Sequence, residues 1–261
     1  MRHLIPVRLA TFALAFTQFS FCYAGEVLHI ASDDWCPFVC TSGNQISGGY
    51  LVELSAQALA LSGYQVTPVL LPLKRAITET ANGRLQGVYA PPIDSRLQLA
   101  ETLIYSRACF YTLNSEAWTY QGIASLDKLT VGIIEDYGYD NAVMDVYIQK
   151  NERISSKLEI ARGENAGLRN LQKLLAKRFP AMLEHEAVMR HLLSQNSEAH
   201  KIRLAGCLDQ KLPLTLGFSK ADIRNDTWIK ALHEGYLRLL QSGETDKLRL
   251  RYGITSEEPR K

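Results

Sequence analysis

Residues 48–96 decide the fold of this chain, and they read GGYLVELSAQALALSGYQVTPVLLPLKRAITETANGRLQGVYAPPIDSR. After the opening glycines, apolar residues recur at the three- and four-residue spacing of one helix face: Leu51, Leu54, Ala58 and Leu61. This periodicity predicts an amphipathic helix that begins at a glycine and packs one side against a core.

The second part of this stretch predicts a strand, a second helix and a further strand. Gly63 ends the first helix, a short strand follows, and Pro72 begins a second helix. A glycine–arginine turn then leads into a strand at Gln86–Ala90, and Arg96 follows a turn-rich segment. A guanidinium just past a strand end can bind a carboxylate through two parallel hydrogen bonds. The stretch therefore predicts a protein that captures a small polar molecule.

The N-terminus has the layout of a secretory signal peptide. Arg2 and Arg8 precede or begin a mostly apolar run, Leu9–Phe21, and small residues stand at the cleavage positions before Gly25. We expect cleavage after Ala24, which makes residues 1–24 a leader. The alternative is an uncleaved anchor helix, but the run is short for a bilayer. Nothing later in the chain is apolar enough to span a membrane.

Charge and residue spacing argue against two classes of function. The chain has 29 basic and 27 acidic residues, and removing the leader takes away Arg2 and Arg8 but no acids, which leaves 27 of each. A neutral chain has no electrostatic footprint for nucleic acid. No cluster of cysteine or histidine has zinc-site spacing, and His185 and His191 are too far apart to share one helix face as an i, i+4 pair. We therefore expect no metal and no cofactor.

The cysteines predict disulfide bonds. Beyond Cys22 in the leader, four cysteines remain, and an even number in an exported chain favours two bridges. Cys36 and Cys40 are close enough in sequence to close a tight loop. The sequence leaves the connectivity open.

Strand-like and helix-like segments alternate along the mature chain, which predicts α/β topology with parallel strands. The predicted strands are Val27–Ala31, Gln65–Leu70, Gly87–Ala90, Phe110–Leu113, Thr130–Ile134, Leu158–Ile160, Ala181–Leu183, Ile202–Leu204 and Leu214–Phe218. The predicted helices are Val52–Leu61, Leu73–Ala81, Tyr139–Gln149, Ala166–Lys177, Glu186–Gln195 and Thr227–Gln241. A helix that ends at a basic turn before a short strand occurs twice, which supports two similar lobes.

Four segments together resemble the bacterial extracellular solute-binding proteins of family three, the periplasmic amino-acid-binding type. GGYLVELSAQALA resembles the family signature, and SDDWCPF resembles the loop after its first strand, with an aromatic residue before a proline. SLDKLTVGIIEDYGYD resembles the return into a second lobe, and residues 220–253 resemble the closing helices. The resemblance covers essentially the whole mature chain.

The resemblance implies a two-lobed type II periplasmic-binding-protein fold that closes over a ligand. Each lobe would be a mixed sheet flanked by helices, and two hinge crossings would join the lobes, near Leu113 and Pro213. The first lobe would hold residues 25–114 and 210–261, and the second lobe residues 115–209.

The same hinge bears on the cysteines. Cys109 and Cys207 both lie close to the implied crossings. The favoured pairing is therefore Cys36 with Cys40 and Cys109 with Cys207.

The resemblance also implies ligand-binding residues. Arg96 matches the family's carboxylate-binding arginine, Trp35 matches the aromatic residue that covers the ligand, and the backbone N–H groups of Tyr137 and Gly138 would meet an anionic group at a helix N-terminus. The other implied ligand contacts are Asp33, Leu73, Tyr89, Ala90, Glu184 and His185. Arg96, Trp35 and Tyr137 each have a plainer alternative: a surface salt bridge for Arg96, a core position for Trp35, and a simple helix start at Tyr137.

Several residues depart from the family pattern. Leu51 stands where the signature usually has an acid, and Ala90 begins an Ala-Pro-Pro turn where hydroxyl groups are usual. The residue that best matches the amine-binding aspartate is His185, a poor partner for an ammonium, although Glu184 or Glu186 could replace it if the register shifts by one. A free α-amino acid as ligand is therefore in doubt.

The expected function is a monomeric periplasmic protein, not an enzyme, that binds a small, carboxylate-bearing, amino-acid-like solute for an ABC importer. One alternative is an orphan or sensory binding protein, so the expected partner is a permease or a sensor protein in the inner membrane. Another is an exported enzyme on the same fold, such as a cyclohexadienyl dehydratase, with Glu184 as general acid. That enzyme would need Glu184 to be buried with a raised pKa.

Overall fold

The structure is a computed structural model that describes residues 25–163 and 165–255. The predicted leader and its cleavage point lie outside the described residues. No helix in the described part of the chain is both long and apolar enough to cross a bilayer.

Strands and helices alternate along the described chain as the sequence predicts. The strands are β1 (Val27–Ser32), β2 (Cys40–Ser42), β3 (Gln45–Gly48), β4 (Gln65–Leu70), β5 (Gly87–Tyr89), β6 (Leu97–Leu99), β7 (Ile104–Ser106), β8 (Ala108–Leu113), β9 (Val131–Ile134), β10 (Leu158–Ala161), β11 (Ala181–His185), β12 (Ile202–Cys207), β13 (Leu212–Leu214) and β14 (Leu216–Ser219). The α-helices are α1 (Tyr50–Ala60), α2 (Leu73–Ala81), α3 (Val143–Asn151), α4 (Ala166–Leu175), α5 (Glu186–Ser194), α6 (Asn225–Gln241) and α7 (Glu244–Arg251).

The first lobe is a five-stranded sheet in the order β4-β1-β5-β14-β6, covered by helices on both faces. β1 runs parallel to β4 and β5, whereas β14 is antiparallel to both of its neighbours. Leu28 and Ile30 of β1 face α1 and α6, while Ala31 joins the cluster under α2. A Cβ atom at Gly235 of α6 would lie 2.1 Å from the carbonyl oxygen of Ala58, so this glycine allows α6 to approach α1 closely.

The second lobe is a similar sheet in the order β10-β9-β11-β8-β12. β9 runs parallel to β10 and β11, and β8 lies antiparallel between β11 and β12. Phe110 and Ile133 pack on one face with α3, while Tyr111 and Met182 pack on the other with α4 and α5. Each lobe is thus a mixed sheet between helices, the architecture that the sequence predicts.

The two lobes are joined where β7 and β13 form a two-stranded antiparallel ladder, with Pro213 opposite Tyr105. The expected crossing near Pro213 lies there, but the expected crossing near Leu113 does not. All six residues of β8 are buried, and this strand lies between β11 and β12 in the second sheet. The first chain crossing therefore comes before β8, and the expected lobe boundary at residue 114 falls after a strand that pairs in the second lobe.

Both disulfides connect the cysteines that the sequence analysis pairs. Cys36 is bonded to Cys40, and Cys109 is bonded to Cys207. Cys109 and Cys207 lie directly opposite each other on the neighbouring strands β8 and β12, and Cys109 is the second residue of β8. The pairing prediction is confirmed, and the disulfide ties the two strands that lead to and from the hinge.

Several helix boundaries differ from the prediction by one to four residues, and two of these differences have local reasons. α1 ends at Ala60, so Leu61 is 47% exposed and does not belong to the buried stripe. α3 begins at Val143 and not at Tyr139, because the acidic side chains of Asp140 and Asp145 accept hydrogen bonds from the backbone of the preceding loop. Such Asx-type bonds compete with the first helical turn.

Candidate functional site

A small pocket lies between the lobes, next to the hinge ladder, and in this closed arrangement its cavity volume is about 20 Å³. Its walls combine apolar and aromatic side chains with a serine and a carboxylate. The lining residues are Ser32, Asp33, Trp35, Leu73, Tyr89, Ala90, Pro92, Tyr137, Gly138 and Leu212. We call this space the inner pocket.

A wider cleft of about 860 Å³ continues from the inner pocket toward solvent, and we call it the outer cleft. Asp33, Leu73 and Tyr137 line both spaces, so the two share a boundary. α2 contributes Lys74 and Arg75 from the first lobe. The second lobe contributes the residues around the end of β9 and the start of α4. The outer cleft is therefore a route from solvent to the inner pocket.

The loop after β1 presents the first lobe's polar and aromatic groups. β1 ends at Ser32, so the next three residues emerge at the carboxyl end of a parallel strand, where ligands are usually bound in α/β sheets. The loop is held by the Cys36–Cys40 disulfide and by the backbone N–H of Trp35, which donates to the carbonyl of Val39 at 2.8 Å. This local closure sets the position of Trp35.

The second lobe's contribution comes from the turn after β9. Tyr137 and Gly138 follow Asp136, whose φ of 61° makes the sharp change of direction. The prediction that backbone N–H groups here meet an anion at a helix N-terminus is not supported, because α3 begins later and Asp140 and Asp145 already accept hydrogen bonds from its first N–H groups and the preceding loop. Tyr137 contributes its ring and hydroxyl to the pocket.

The lobes touch each other through Trp35. Its indole lies edge-on to the ring of Tyr137, with centroids 5.8 Å apart, and edge-on to the imidazole of His185 at 5.1 Å. The Tyr137 hydroxyl donates to Asp33 Oδ2 at 3.4 Å, which joins the two lobes by a long hydrogen bond. The structure is therefore in a closed arrangement at this point.

Asp33 is the ionisable carboxylate of the inner pocket; its own backbone N–H interacts with the carboxyl group, and its two side-chain hydrogen bonds are long. Besides Tyr137, the Ser32 hydroxyl donates to Oδ1 at 3.5 Å, at the outer limit for such a bond. Burial outweighs these bonds and raises the pKa of Asp33 to about 7. This carboxyl group therefore has unused capacity to accept hydrogen bonds at the pocket wall.

His185 is fully buried and both its ring nitrogens are occupied. Nε2 lies 3.1 Å from the carbonyl oxygen of Gly138, which can only accept, so Nε2 carries the proton. Nδ1 lies 2.9 Å from the hydroxyl of Ser106 and accepts from it. Burial lowers the pKa of His185 to about 4, so the ring is neutral at neutral pH. It does not line the pocket, and its place is behind Trp35, where it ties the hinge to the second lobe.

Glu184 is also fully buried and lies outside the pocket lining. Its Oε1 accepts the backbone N–H of His185 at 2.8 Å, whereas Oε2 has no hydrogen-bond partner. The indole Nε1 of Trp35 is likewise buried without a partner within bonding geometry, but Trp35 lies close enough to the Glu184 carboxyl group to lower its pKa, an effect smaller than that of burial. Burial raises the pKa of Glu184 to about 8, so the group is protonated at neutral pH.

Arg96 lies away from both spaces. Its guanidinium donates twice to Asp94, from Nε at 3.0 Å and from the terminal nitrogen at 2.7 Å, and 52% of its side chain is exposed. This is the surface salt bridge that the sequence analysis keeps as the alternative. The structure does not bring Arg96 to the pocket.

Seven of the ten predicted ligand residues line the inner pocket together: Asp33, Trp35, Leu73, Tyr89, Ala90, Tyr137 and Gly138. Sequence reasoning missed Ser32, Pro92 and Leu212, and it missed Lys74 and Arg75 of the outer cleft. Part of this set could have been found from the sequence. Leu212 is next to Pro213, where a hinge crossing was expected, and Lys74 and Arg75 lie in the first turn of the helix that Pro72 was predicted to begin.

The chain is similar to known proteins in its fold but not in its sequence. No protein-family model matches the chain, and no curated protein matches its sequence. Many solved structures match its fold. A histidine kinase sensor domain with similarity to periplasmic binding proteins has a TM-score of 0.74 and 14% identity, covering 90% of this chain and 99% of that one.

Two further structures are similar over most of their length. An ancestral arginine-binding protein bound to arginine has a TM-score of 0.71 and 14% identity, over 88% of this chain and 99% of that chain. An ancestral amino-acid-binding protein described as a precursor of cyclohexadienyl dehydratase has a TM-score of 0.66 and 18% identity, over 87% and 94%. The chain has the two-lobed type II periplasmic-binding-protein fold.

Proposed function

We propose that this chain is an exported solute-binding protein whose two lobes close over a small solute in the inner pocket, for delivery to an ABC importer. The observation that carries the proposal is the position of the pocket: both lobes line it, directly beside the ladder of β7 and β13. A solute held there contacts both lobes, so it favours their closed arrangement over any open one. The two disulfides fit an oxidising compartment such as the periplasm.

The pocket's composition supports binding of a small organic molecule. Trp35, Tyr89 and Tyr137 supply aromatic walls, and few polar groups interrupt them. The expectation of a carboxylate-bearing solute depended on Arg96, which is held by Asp94. Carboxylate binding would instead fall to Lys74 or Arg75 in the outer cleft.

A ligand screen tests the proposal. Small amines, amino acids, carboxylates and short peptides are added singly while thermal unfolding is followed. A true ligand at about 100 times its Kd adds about 2.7 kcal/mol to the free energy of unfolding, which raises the Tm by about 5 °C or more. If no compound raises the Tm, the proposed function is contradicted.

Tryptophan fluorescence provides the second readout, since Trp35 lies at the lobe contact while Trp118 and Trp228 pack inside separate lobes. A ligand that acts between the lobes should change the emission of the native protein. The change should disappear in Trp35→Phe and persist in the matched control Trp118→Phe. Persistence of the full change in Trp35→Phe would place the ligand elsewhere.

A sensory role is the first alternative, and the structural similarity to a kinase sensor domain favours carrying it. Transport and sensing use the same closure, so the solute screen does not separate them. Uptake of the identified solute by cells with and without the gene does: a loss of uptake supports transport, and a loss of a transcriptional response with normal uptake supports signalling.

An enzymatic role is the second alternative, because Glu184 has the burial and the raised pKa that a general acid needs. Against it, Glu184 does not line the pocket, so a solute there would not touch its carboxyl group. We therefore favour binding. Incubating the protein with prephenate and arogenate and measuring their aromatic products checks this, and turnover abolished by Glu184→Gln would establish the enzyme instead.

A further inference from the structure

The wall of the inner pocket has a carboxylate that could bind a cation, and it has no positively charged side chain that could bind an anion. Among its ten lining residues, no side chain is cationic and one, Asp33, is a carboxylate. Lys74 and Arg75 line the outer cleft and not the inner pocket. An anionic group brought to the inner pocket would therefore meet a carboxylate and no compensating positive charge.

The Asp33 carboxylate can also accept more hydrogen bonds than its side-chain neighbours give it. Its two side-chain donors, Ser32 and Tyr137, lie at 3.5 and 3.4 Å, beyond the usual distance for an O–H donor and a carboxylate oxygen. A carboxylate oxygen can accept further donors, and it faces a space lined from both lobes. A solute that brings N–H donors would complete its bonding.

The aromatic walls favour the same kind of group. Trp35, Tyr89 and Tyr137 line the pocket together with Asp33, and a positive charge is attracted to the face of such rings. A pocket that combines several aromatic rings with one carboxylate suits an alkyl- or arylalkylammonium, whose hydrocarbon part also benefits from Leu73.

We infer that the group recognised in the inner pocket is an organic ammonium ion, with the Asp33 carboxylate of the first lobe as its acceptor. The inference rests on the proposed function and names the solute class for the same site. The acceptor then lies in the first lobe and not near residues 184–186, where the sequence match to the amine-binding aspartate falls. There, Glu184 is buried and protonated at neutral pH, and His185 uses both ring nitrogens within the protein.

The first experiment compares matched ligands on the unaltered protein by isothermal titration calorimetry. The aromatic series is 2-phenylethylamine, 2-phenylethanol, 3-phenylpropanoate and phenylalanine, and the aliphatic series is butylamine, butanol, pentanoate and norvaline. We expect an amine to bind about 30-fold or more tightly than its alcohol and acid, a typical value for one charge-assisted contact.

Each other result of this comparison overturns the inference. An acid or alcohol that binds as tightly as its amine excludes ammonium recognition. An amino acid that binds while its amine does not shows that a carboxylate is required. If neither series binds but the broad screen finds a ligand without an ammonium group, the solute class is wrong while the proposed function stands. If no compound in any screen binds, the function fails as well.

The second experiment removes the acceptor. Asp33→Asn keeps the size of the side chain and loses its charge, so we expect about 30-fold weaker binding of the preferred amine. Asp34→Asn is the matched control, since Asp34 is exposed, lines the outer cleft and already accepts two bonds from Thr41. Thermal melts of both variants confirm folding. Equal affinities for the amine in Asp33→Asn and the unaltered protein would overturn the inference.

Affinity should also depend on pH, because burial raises the pKa of the empty Asp33 to about 7 and an ammonium binds its ionised form. Below pH 7 the carboxyl must lose a proton, so the affinity should fall by up to about tenfold per pH unit. The surrounding titratable groups are Asp34 on the same loop, Tyr137, Glu184 and His185 of the second lobe, and Lys74 of α2. This dependence should be lost in Asp33→Asn, and its persistence there would assign it to a neighbour and contradict the role of Asp33.

Discussion

Burial keeps two adjacent side chains, Glu184 and His185, in their neutral forms. The effect on stability has opposite signs for the two. Folding raises the pKa of Glu184 from 4.5 to about 8, so its contribution is complete at low pH and is lost as the pH rises through that interval. Folding lowers the pKa of His185 from 6.5 to about 4, so its contribution is lost as the pH falls below about 6.5.

Glu184→Gln separates these effects, because glutamine resembles the protonated acid and does not ionise. We expect the variant's free energy of unfolding, relative to the unaltered protein, to rise by roughly 3 kcal/mol between pH 5 and pH 8. Thermal melts at the two pH values measure it. The exposed Glu186→Gln is the matched control, and a Glu184→Gln difference that stays constant with pH would contradict a buried, protonated carboxyl.

Arg96 illustrates how far a sequence match can be from a site. Because its guanidinium is exposed and bound to Asp94, Arg96→Ala should change the free energy of unfolding by less than about 1 kcal/mol, as is usual for surface salt bridges. Solute affinity should change by less than about threefold. A calorimetric titration that shows a large loss of affinity would return Arg96 to the binding site, by a rearrangement of the loop after β5.

At the level of the structural elements, the two disulfides should contribute different amounts to the free energy of unfolding. Cys36–Cys40 closes a loop of very few residues, whereas Cys109–Cys207 links positions 98 residues apart. The loop-closure relation gives about 2 kcal/mol for the first and about 4.7 kcal/mol for the second. Denaturant unfolding of the two Cys→Ser double variants should therefore show the larger loss for the hinge pair.

Solute binding should show the reverse order. The Cys36–Cys40 loop carries Trp35 and follows Asp33 directly, so its double variant should bind solute about tenfold more weakly, by loss of preorganisation. The Cys109–Cys207 variant, assayed below its unfolding temperature, should bind with nearly unchanged affinity. Equal losses of affinity in both variants would contradict a positioning role for the short loop.

For the whole molecule, Trp35 is the main aromatic contact across the cleft, touching Tyr137 and His185. Trp35→Ala removes this contact, so the ligand-free protein should populate an open arrangement more. A compact chain of this size has a radius of gyration of about 18 Å. Small-angle X-ray scattering should give a larger value for the variant than for the unaltered protein. Identical curves would show that other contacts hold the lobes together.

The periodic elements were predictable because their causes are local. The stripe of α1 and the strand–helix alternation depend on residues within a few positions of each other. The disulfide pairing followed from the hinge that the family resemblance implies, because Cys109 and Cys207 both lie near its crossings, and the structure confirms it although one crossing lies earlier in the chain. The first crossing was misplaced because β8 is a continuous apolar run, and such a run does not indicate which of two sheets will bury it.

The sequence by itself determined the α/β alternation, because periodicity reflects local physics. The resemblance to the solute-binding family implied the hinge between two lobes, the favoured cysteine pairs and most of the residues that line the pocket. Only the tertiary structure decided the charge of the pocket. Asp94 lies two residues before Arg96 and engages it, while burial neutralises Glu184 and leaves Asp33 as the carboxylate at the cavity wall. The Asp94–Arg96 pair is local in the chain, but its distance from the pocket and the burial of Glu184 and Asp33 depend on residues distant in the chain. For that reason the sequence predicted a carboxylate clamp, whereas the inner pocket has a carboxylate and no cation in its wall.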